Sequence, residues 1–303
     1  MDILAPPLTD EEIYVYYRDH FPLDLVWELL CQCVGGEHLC KHLDFSIDKP
    51  VSRRHSYNNN YSVADTETIL IRYLSAATKQ DLHKLLLQNS PRSVSIGSLY
   101  HVEGALRPQI ISQFGSQENH GKPFMIDFDI TDFQRDCHCG DLPQVCQLCW
   151  ERQCAPLIKL LEEACPILFG SGMLVSYSGR RGVHACLPNP NLTYASTHDR
   201  ASALEFIEGQ VSACGPGLFD RYATTSNDHT IRLPFTINTS TGFIDLPCTS
   251  STPFENVRVH VRSLIQLHSN RNNNNNKDQQ QLQQQQSFAD AIQLTQKFLS
   301  TQR

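Results

Sequence analysis

The sequence predicts a mixed α/β fold, because helical and strand patterns alternate along one chain. Residues 122–133 form the clearest strand, where Phe124, Ile126 and Phe128 alternate with other residues at the period of two that a strand requires. Residues 157–168 place leucines on one side at helical spacing. With 303 residues and 40% hydrophobic content, the chain can bury one large core or two modest ones, as soluble globular proteins do.

Helix signals open the chain. Thr9, with Glu12 three residues later, has the pattern of a capping box, and an apolar helix over residues 25–30 stops at Gly35-Gly36. Strands are predicted over residues 45–47, 68–73 and 94–100, and a short helix over residues 81–88. Several thiols and imidazoles lie near the second helix without paired metal-ligand spacing, so we expect them to pack: Cys31, Cys33, His38, Cys40 and His42.

The alternation continues to residue 268. Strands are predicted over residues 173–178, 183–187, 230–235 and 242–246, and a helix over residues 200–209. Residues 269–286 are rich in Asn and Gln, which predicts a disordered linker with nothing to pack. Residues 287–303 predict an amphipathic helix with Phe288, Ile292 and Leu299 on one stripe. We therefore expect one core over residues 1–268, then a linker and a terminal helix.

The net charge and the hydropathy of the chain limit the classes of protein to which it can belong. The net charge of −7 is unusual for a protein that grips a nucleic-acid backbone over a long footprint, so such a contact must be short, local or shared with a basic partner. No apolar run approaches the ~20 residues of a membrane span, and residues 1–7 lack a signal-peptide pattern. We expect a cytosolic or nuclear protein away from membranes, whose twelve cysteines are thiols or metal ligands.

Two acids share the polar face of the central strand. Asp127 and Asp129 are two residues apart, so both carboxylates project from the same side. Anions that close repel each other unless a cation holds them, and hard oxygen ligands suit Mg²⁺ or Mn²⁺. The alternative is an exposed strand face that carries two acids and no ion.

A group of four cysteines follows the acids: Cys137, Cys139, Cys146 and Cys149. Four thiolates from two short turns can close a tetrahedral structural zinc site. His138 can replace Cys137 as a ligand, because neighbouring residues do not easily both turn inward. Cys154 is expected in the following helix. The alternative is a loop of reduced thiols without metal.

The turn over residues 178–182 is a candidate anion site. Glycines beside Ser178 let a tight turn expose backbone N–H groups, and Arg180, Arg181 and His184 lie close in sequence. A triphosphate would satisfy such a set, whereas the alternative is a solvated hairpin tip. His184 alternates with Val183 and Ala185, so the imidazole points away from that apolar face.

One further acid and one further arginine complete the candidate site. Asp220 beside Asp127 and Asp129 would form a two-metal site, in which one ion activates the attacking hydroxyl and the other steadies the leaving pyrophosphate. Arg232 follows on the next predicted strand and would add charge for phosphates. For Asp220 taken alone, the alternative is a turn residue at the end of a strand.

In order along the chain, these motifs resemble the small catalytic subunit of archaeal and eukaryotic DNA primases, most closely the eukaryotic form. The matching segments are residues 39–46, 70–75, 94–100 and 125–132, the cysteine cluster ending in Cys149-Trp150, residues 175–184, Asp220 and residues 231–235. The acid pair, the cysteine cluster and the Ser-Gly-Arg-Arg-Gly-Val-His segment form a specific ordered set.

The resemblance implies a mixed α/β catalytic core with sheets of the RNA-recognition type, flanked by helices, with a zinc knuckle inserted at residues 137–149. It implies that Asp127, Asp129 and Asp220 bind two catalytic Mg²⁺ or Mn²⁺ ions. It also implies that nucleotide phosphates are held by Ser178, Gly179, Arg180, Arg181, His184 and Arg232, and that Asp44 and Arg72 line the nucleotide pocket.

The sequence departs from that family at several positions. Asp44 stands where glutamate is common, Ser95 where an acid near the sugar is expected, and Asn238 where a histidine is expected. Ser95 bears on ribose discrimination and Asn238 on nucleotide binding. The helical insertion before the third aspartate is largely absent, since only residues 185–219 separate His184 from Asp220.

The resemblance predicts an RNA primase that acts in the nucleus on single-stranded DNA and joins NTPs into short primers. The expected partners are the primase large subunit and the catalytic and accessory subunits of DNA polymerase alpha. Two alternatives stay open: a non-catalytic, zinc-stabilised scaffold subunit of the replication complex, and a repair-type primase-polymerase that uses deoxynucleotides.

Overall fold

The structure, a computed structural model, describes residues 7–50, 68–103, 106–114, 119–129, 145–210, 219–238, 240–265 and 275–302. Its helices are α1 (Asp10–Asp19), α2 (Leu23–Val34), α3 (Glu37–Cys40), α4 (Lys79–Asn89), α5 (Arg107–Phe114), α6 (Gln147–Cys149), α7 (Ala155–Phe169), α8 (Pro190–Thr193), α9 (Thr197–Gln210), α10 (Arg221–Thr225), α11 (Phe254–Val257), α12 (Val261–Ile265) and α13 (Asn275–Thr301). A π-helical turn, Trp150–Cys154, joins α6 to α7. Among these described helices, none combines the length and apolar character needed to cross a bilayer.

Nine strands form two antiparallel sheets within the described ranges. They are β1 (Leu43–Pro50), β2 (Thr68–Leu74), β3 (Ser93–Tyr100), β4 (Asn119–Gly121), β5 (Phe124–Asp129), β6 (Leu174–Tyr177), β7 (Gly182–Leu187), β8 (Ile231–Arg232) and β9 (Leu246–Pro247). Sheet 1 has the order β2-β1-β3-β4, with β8 also paired to β3, and sheet 2 has the order β5-β7-β6-β9. The predicted mixed α/β class is confirmed.

Both faces of β5 are covered, because its alternate residues enter two different hydrophobic cores. Phe124, Ile126 and Phe128 lie in the core that includes residues of α7 and α9. Met125 points the other way, into the core built from sheet 1 and the N-terminal helices. The acids of β5 are therefore the polar positions of a strand that is otherwise buried.

The N-terminal helices begin and end where the sequence predicts. The Thr9 hydroxyl accepts from the Glu12 N–H at 3.2 Å, and the Glu12 carboxylate accepts from the Thr9 N–H at 2.8 Å, which completes the capping box. Gly35 ends α2 at φ 93°, a conformation that favours glycine.

The prediction of a disordered linker over residues 269–286 is wrong for residues 275–286, because α13 begins at Asn275. The glutamines gain partners there: Gln281 and Gln285 donate to the Ser263 carbonyl, and Gln284 accepts from the His260 N–H. Gln is also a good helix former, which composition alone did not weigh. The rest of that prediction, at residues 269–274, lies outside the described residues. The terminal stripe is confirmed, since Phe288 and Leu299 are buried and Ile292 packs against them.

Two predicted strands are shorter than expected. Only Ile231 and Arg232 of the segment 230–235 pair in a strand, because Pro234 offers no N–H and Phe235 turns to φ 64°. Of the segment 242–246, only Leu246 joins a strand, while Phe243 and Ile244 form isolated bridges.

Candidate functional site

The structure brings the third predicted acid to the strand that carries the first two. The Asp220 N–H donates to the Asp127 carbonyl at 3.0 Å, although the two residues are far apart in sequence. Asp220 also begins α10, where its Oδ1 accepts from the Ala223 N–H at 2.8 Å. The turn-residue interpretation of Asp220 therefore describes a real contact, and it coexists with the position beside Asp127.

Asp127 is the electrostatic centre of this group. Burial raises its pKa, and the neighbouring carboxylates of Asp220 and Asp129 raise it further, while His184 and Arg232 lower it. Its side chain keeps 25% of its surface exposed. Hard oxygen donors that repel each other at a partly open position suit a divalent cation.

The carboxylates of Asp127, Asp129 and Asp220 are not arranged as a complete set of metal ligands. In the part of the chain that the structure describes, no group of three or more His, Cys, Asp or Glu side chains is in place to hold an ion. Asp220 Oδ1 accepts from the Ala223 N–H. A carboxylate has two oxygens, so the helix cap leaves the second oxygen of Asp220 for an ion. The donor chemistry thus fits Mg²⁺ or Mn²⁺, whereas the closed coordination shell is not formed.

His184 lies directly opposite Asp127 in the β5–β7 pairing. Its Nε2 is 3.6 Å from Asp127 Oδ1, and its Nδ1 is 2.6 Å from Asp245 Oδ2. Burial lowers the pKa of His184, but the charge and hydrogen bond of Asp245 and the charge of Asp127 outweigh it, so the pKa is raised. As predicted, the imidazole points away from the core formed by its neighbours on β7.

The turn from Ser178 to Gly182 joins β6 to β7 beside these acids. The Ser178 hydroxyl accepts from the Gly182 N–H at 3.0 Å, and the Ser178 N–H donates to the Gly182 carbonyl at 3.0 Å. A Cβ on Gly182 would lie 2.3 Å from the Phe128 carbonyl oxygen, so only glycine fits. Gly179 has φ 75° and approaches the Phe243 carbonyl. The turn is therefore a tightly built element rather than a loose hairpin tip.

Arginines gather at this turn. Arg232 Nη1 donates to the Ser178 carbonyl at 3.0 Å, which places a third guanidinium with those of Arg180 and Arg181. Burial lowers the pKa of Arg180, and the charges of Arg181 and Arg232 lower it further, while Asp129 raises it. The Nε atoms of Arg180 and Arg181 are buried without a hydrogen-bond partner among the described residues. Crowded guanidiniums of this kind favour an anion.

Asp44 and Arg72, the pair that the resemblance places in the nucleotide pocket, lie on sheet 1. Arg72 Nη2 lies 3.5 Å from Asp44 Oδ2 and donates to the Asp228 carbonyl at 3.3 Å, just after α10. Asp44 is fully buried, and its Oδ1 accepts from the Tyr73 N–H at 2.8 Å. Burial raises the pKa of Asp44, although Arg72 opposes that shift. The Arg72–Asp228 contact links this pair to the segment that carries Asp220.

Lys122 and His229 were missed by the sequence reasoning. Lys122 is buried and donates to the carbonyls of Ala223 at 2.6 Å and Ser226 at 3.0 Å, so it closes the end of α10. Burial and Arg200 lower the pKa of Lys122 to about 7 against the opposing charges of the acids. Burial and the charge of Lys122 also lower the pKa of His229. The charges of Asp220 and Asp127 raise this pKa, and the charge of Arg72 lowers it. No motif marks either residue.

Arg107 and Asp245 were also missed. The Arg107 guanidinium lies 3.6 Å from the Tyr100 ring centroid and 4.8 Å from that of Tyr73, beside Asp44 and Arg72. Asp245 is fully buried against His184. A signal for Asp245 does exist in the sequence, because it is a single acid between Ile244 and Leu246 in an apolar run.

The predicted zinc site falls only partly within the described residues. Cys137, Cys139 and His138 lie outside them, so the choice of ligands stays a prediction. Cys146 stands at the start of α6 and Cys149 is buried. The Val145 N–H donates to the Arg180 carbonyl at 2.9 Å, which ties this end of the cysteine segment to the arginine turn. Cys154 is buried in the π-helical turn, as expected of a helix residue.

Comparison with known proteins gives two relatives of the same kind. The DNA primase small subunit of Schizosaccharomyces pombe is 27% identical over 184 residues, which covers 59% of this chain and 35% of that protein. The chain is similar to DNA primase small subunits. A primase small subunit of Drosophila melanogaster is 24% identical over 151 residues, covering 50% of this chain and 34% of that protein. The match thus extends over about a third of the length of these primase subunits.

Two further comparisons concern family models and solved structures. No protein-family model matches the sequence. Among solved structures, the polymerase domain of Mycobacterium tuberculosis Ligase D in complex with DNA covers 82% of this chain, and 88% of that domain is covered, at 13% identity with a TM-score of 0.44. The resemblance to the primase small subunit, predicted from the motifs, is confirmed by the two relatives.

Proposed function

We propose that the chain is the catalytic small subunit of a DNA primase, which joins NTPs into short RNA primers on single-stranded DNA. The observation that carries the proposal is the Asp220–Asp127 backbone hydrogen bond of 3.0 Å, which brings the third acid to the acid pair. These acids lie beside a turn that carries two arginines and contacts a third, Arg232. Acids for metal and arginines for phosphate are the two requirements of phosphoryl transfer.

Asp127, Asp129 and Asp220 would hold Mg²⁺ or Mn²⁺. Two such ions, when bound, lower the pKa of the attacking 3′-hydroxyl and neutralise the charge of the leaving pyrophosphate. No side chain acts as the nucleophile: the 3′-oxygen bonds to the α-phosphorus, and the bond to pyrophosphate breaks. The protein therefore contributes positioning and charge stabilisation.

The arginine turn would hold the triphosphate. Ser178 and Gly179 shape the turn, while Arg180, Arg181 and Arg232 supply positive charge, with His184 on the acid side. An anion there would relieve the mutual repulsion that lowers the pKa of Arg180. Arg72, paired with the buried Asp44, would face the sugar or base of the same nucleotide. Ser95 pairs with Arg232 across sheet 1, so a small hydroxyl stands beside this part of the pocket.

The remaining expectations belong to the same proposal. A protein of net charge −7 would share its hold on template and primer with the primase large subunit and with the catalytic and accessory subunits of polymerase alpha, in the nucleus. A structural Zn²⁺ bound by Cys137 or His138 with Cys139, Cys146 and Cys149 would brace the arginine turn through Val145. One equivalent of zinc that disappears in Cys146→Ser/Cys149→Ser would support the zinc site.

The decisive experiment is primer synthesis on a homopolymer single-stranded DNA template with Mg²⁺ or Mn²⁺, with and without the large subunit. Asp127→Ala/Asp129→Ala should reduce dinucleotide formation to background, because the metal ligands are lost. Asp290→Asn, an exposed acid on α13, is the matched control and should keep full activity. Synthesis that persists in the folded double variant would remove the metal assignment.

A non-catalytic scaffold is the rival, and one observation favours it. Asn238 donates to the Ser178 carbonyl at 3.1 Å, so this departure from the family supports the turn instead of facing a nucleotide. The scaffold predicts normal binding of the large subunit together with no metal-dependent nucleotide binding. A repair-type primase-polymerase would instead prefer dNTPs to NTPs in the same assay, so one experiment separates all three.

A further inference from the structure

His184 contacts two carboxylates, and the two contacts differ. On one side its Nδ1 lies 2.6 Å from Asp245 Oδ2, a hydrogen bond between buried groups. On the other side its Nε2 lies 3.6 Å from Asp127 Oδ1, which is beyond hydrogen-bond length. The ring is therefore held from the Asp245 side, and its contact with Asp127 is loose.

Asp245 itself is held by the backbone on both sides of its Cα. Its N–H donates to the Thr236 carbonyl at 2.9 Å, and its carbonyl accepts from the Phe235 N–H at 2.6 Å. Its side chain is fully buried, and within the described residues its Oδ1 has no hydrogen-bond partner. A buried carboxylate without another partner is costly, so its pairing with the imidazole is the contact that accounts for it.

We infer that Asp245 is the positioning residue of His184: it accepts the Nδ1–H, fixes the ring, and leaves Nε2 facing the acids and the arginine turn. The inference rests on the proposed function, because it identifies Nε2 of His184 as the atom that contacts the bound nucleotide. Nε2 is then the side of the ring that a phosphate oxygen reaches when it enters beside Asp127. A carboxylate that orients a histidine through its second nitrogen is a recurrent device in enzyme sites.

The alternative is that the Asp245–His184 pair only stabilises the packing of the segment before β9 against β7. The two possibilities differ in what they predict for nucleotide binding. If Asp245 orients the ring for the nucleotide, removing it must raise KM for the nucleotide, and the effect must depend on His184. If the pair is merely structural, removal changes stability and leaves KM for the nucleotide unchanged.

The direct test is nitrogen-15 NMR of the histidine rings in the full chain, without nucleotide. The wild-type His184 should show a strongly downfield proton on Nδ1. Asp245→Leu should remove this signal, whereas Asp127→Leu should leave it in place. An Nδ1 signal that survives Asp245→Leu, or that disappears in Asp127→Leu, would overturn the assignment. Should Asp245→Leu fail to fold, Asp245→Asn replaces it, and the same signal must move upfield because an amide is the weaker acceptor.

The second readout is a double-mutant cycle in primer synthesis with ATP as the nucleotide. Asp245→Leu should raise KM for ATP about tenfold, the size seen when the partner of an oriented histidine is lost. His184→Ala should have at least that effect, and His184→Ala/Asp245→Leu should be no worse than His184→Ala alone. Additive losses would mean that Asp245 acts independently of His184. If the wild type makes no primer, the proposed function fails, while the NMR result still decides whether Asp245 holds the His184 ring through Nδ1.

Discussion

Strands β5 and β7 have one wholly apolar face and one face on which polar side chains stand beside the buried Met125 and Cys186. On one face Phe124, Ile126 and Phe128 pack with Val183 and Ala185 against α7 and α9. On the other face Asp127 and His184 stand opposite each other. The apolar face is close-packed and satisfied, whereas the polar face carries a carboxylate of raised pKa and a loosely contacted imidazole.

The comparison shows that neighbouring residues of one strand can have different roles: one packs in the core, and the next lies in the candidate site. Side chains that alternate across a strand share their backbone hydrogen bonds but not their surroundings. Substitutions on the apolar face should therefore cost folding free energy, while those on the polar face should cost activity and spare the fold. Three substitutions on or between the faces can break or sharpen this comparison.

The largest change in stability is expected for Phe128→Ala on the apolar face. Removing a ring that is 2% exposed loses its burial and leaves a cavity, at a cost of about 3–5 kcal/mol. Urea unfolding followed by circular dichroism measures it. Ile167→Ala on α7 is the control, since Ile167 is 84% exposed and should cost under about 0.5 kcal/mol. Equal losses for the two variants would contradict the assignment of Phe128 to a packed core.

Gly182→Ala lies between the faces and should have an intermediate effect. The added Cβ would meet the Phe128 carbonyl at 2.3 Å, so β5 and β7 must separate, at about 1–3 kcal/mol. Because the arginine turn ends at Gly182, nucleotide binding should fall as well. Gly209→Ala in α9 is matched to it: nothing lies within 4 Å of that Cβ, and helix propensity favours alanine by about 0.5–1 kcal/mol. Thermal unfolding that ranks the two variants the other way would exclude the close approach.

The smallest change in the free energy of unfolding is expected for Asp127→Asn, measured in EDTA. It has the opposite sign, because this variant should be more stable than the wild type. The folded-state pKa of Asp127 is raised, so the folded protein binds the extra proton, and its stability declines as pH rises from 3.8 through that pKa. The variant cannot ionise and avoids this loss. It should exceed the wild type at pH 7 by on the order of 1 kcal/mol and converge with it at acid pH, while losing primer synthesis. Asp290→Asn should follow the wild type throughout, and a variant less stable than wild type at pH 7 would contradict the prediction.

Local signals predicted the elements around the site well. Thr9, Glu12 and Gly35 delimit helices by contacts within a few residues, and the alternation at Phe124, Ile126 and Phe128 decides which face of β5 is buried. The Ser178–Gly182 turn follows from its glycines in the same way. Where a long-range partner intervened, such local reasoning failed: the glutamines of α13 are helical because Ser263 and His260 accept and donate there.

By itself, then, the sequence determined the mixed α/β class, the ends of the first helices, the two faces of the central strand and the resemblance to primase small subunits. Only the tertiary structure decided that Asp220 lies against Asp127, that Lys122 closes the end of α10, and that Asp245 holds His184. The physical reason is the separation along the chain between the residues that interact. Dihedral preferences and periodicity act between near neighbours in the chain, whereas the charge on a buried group depends on partners that only folding brings within a few ångströms.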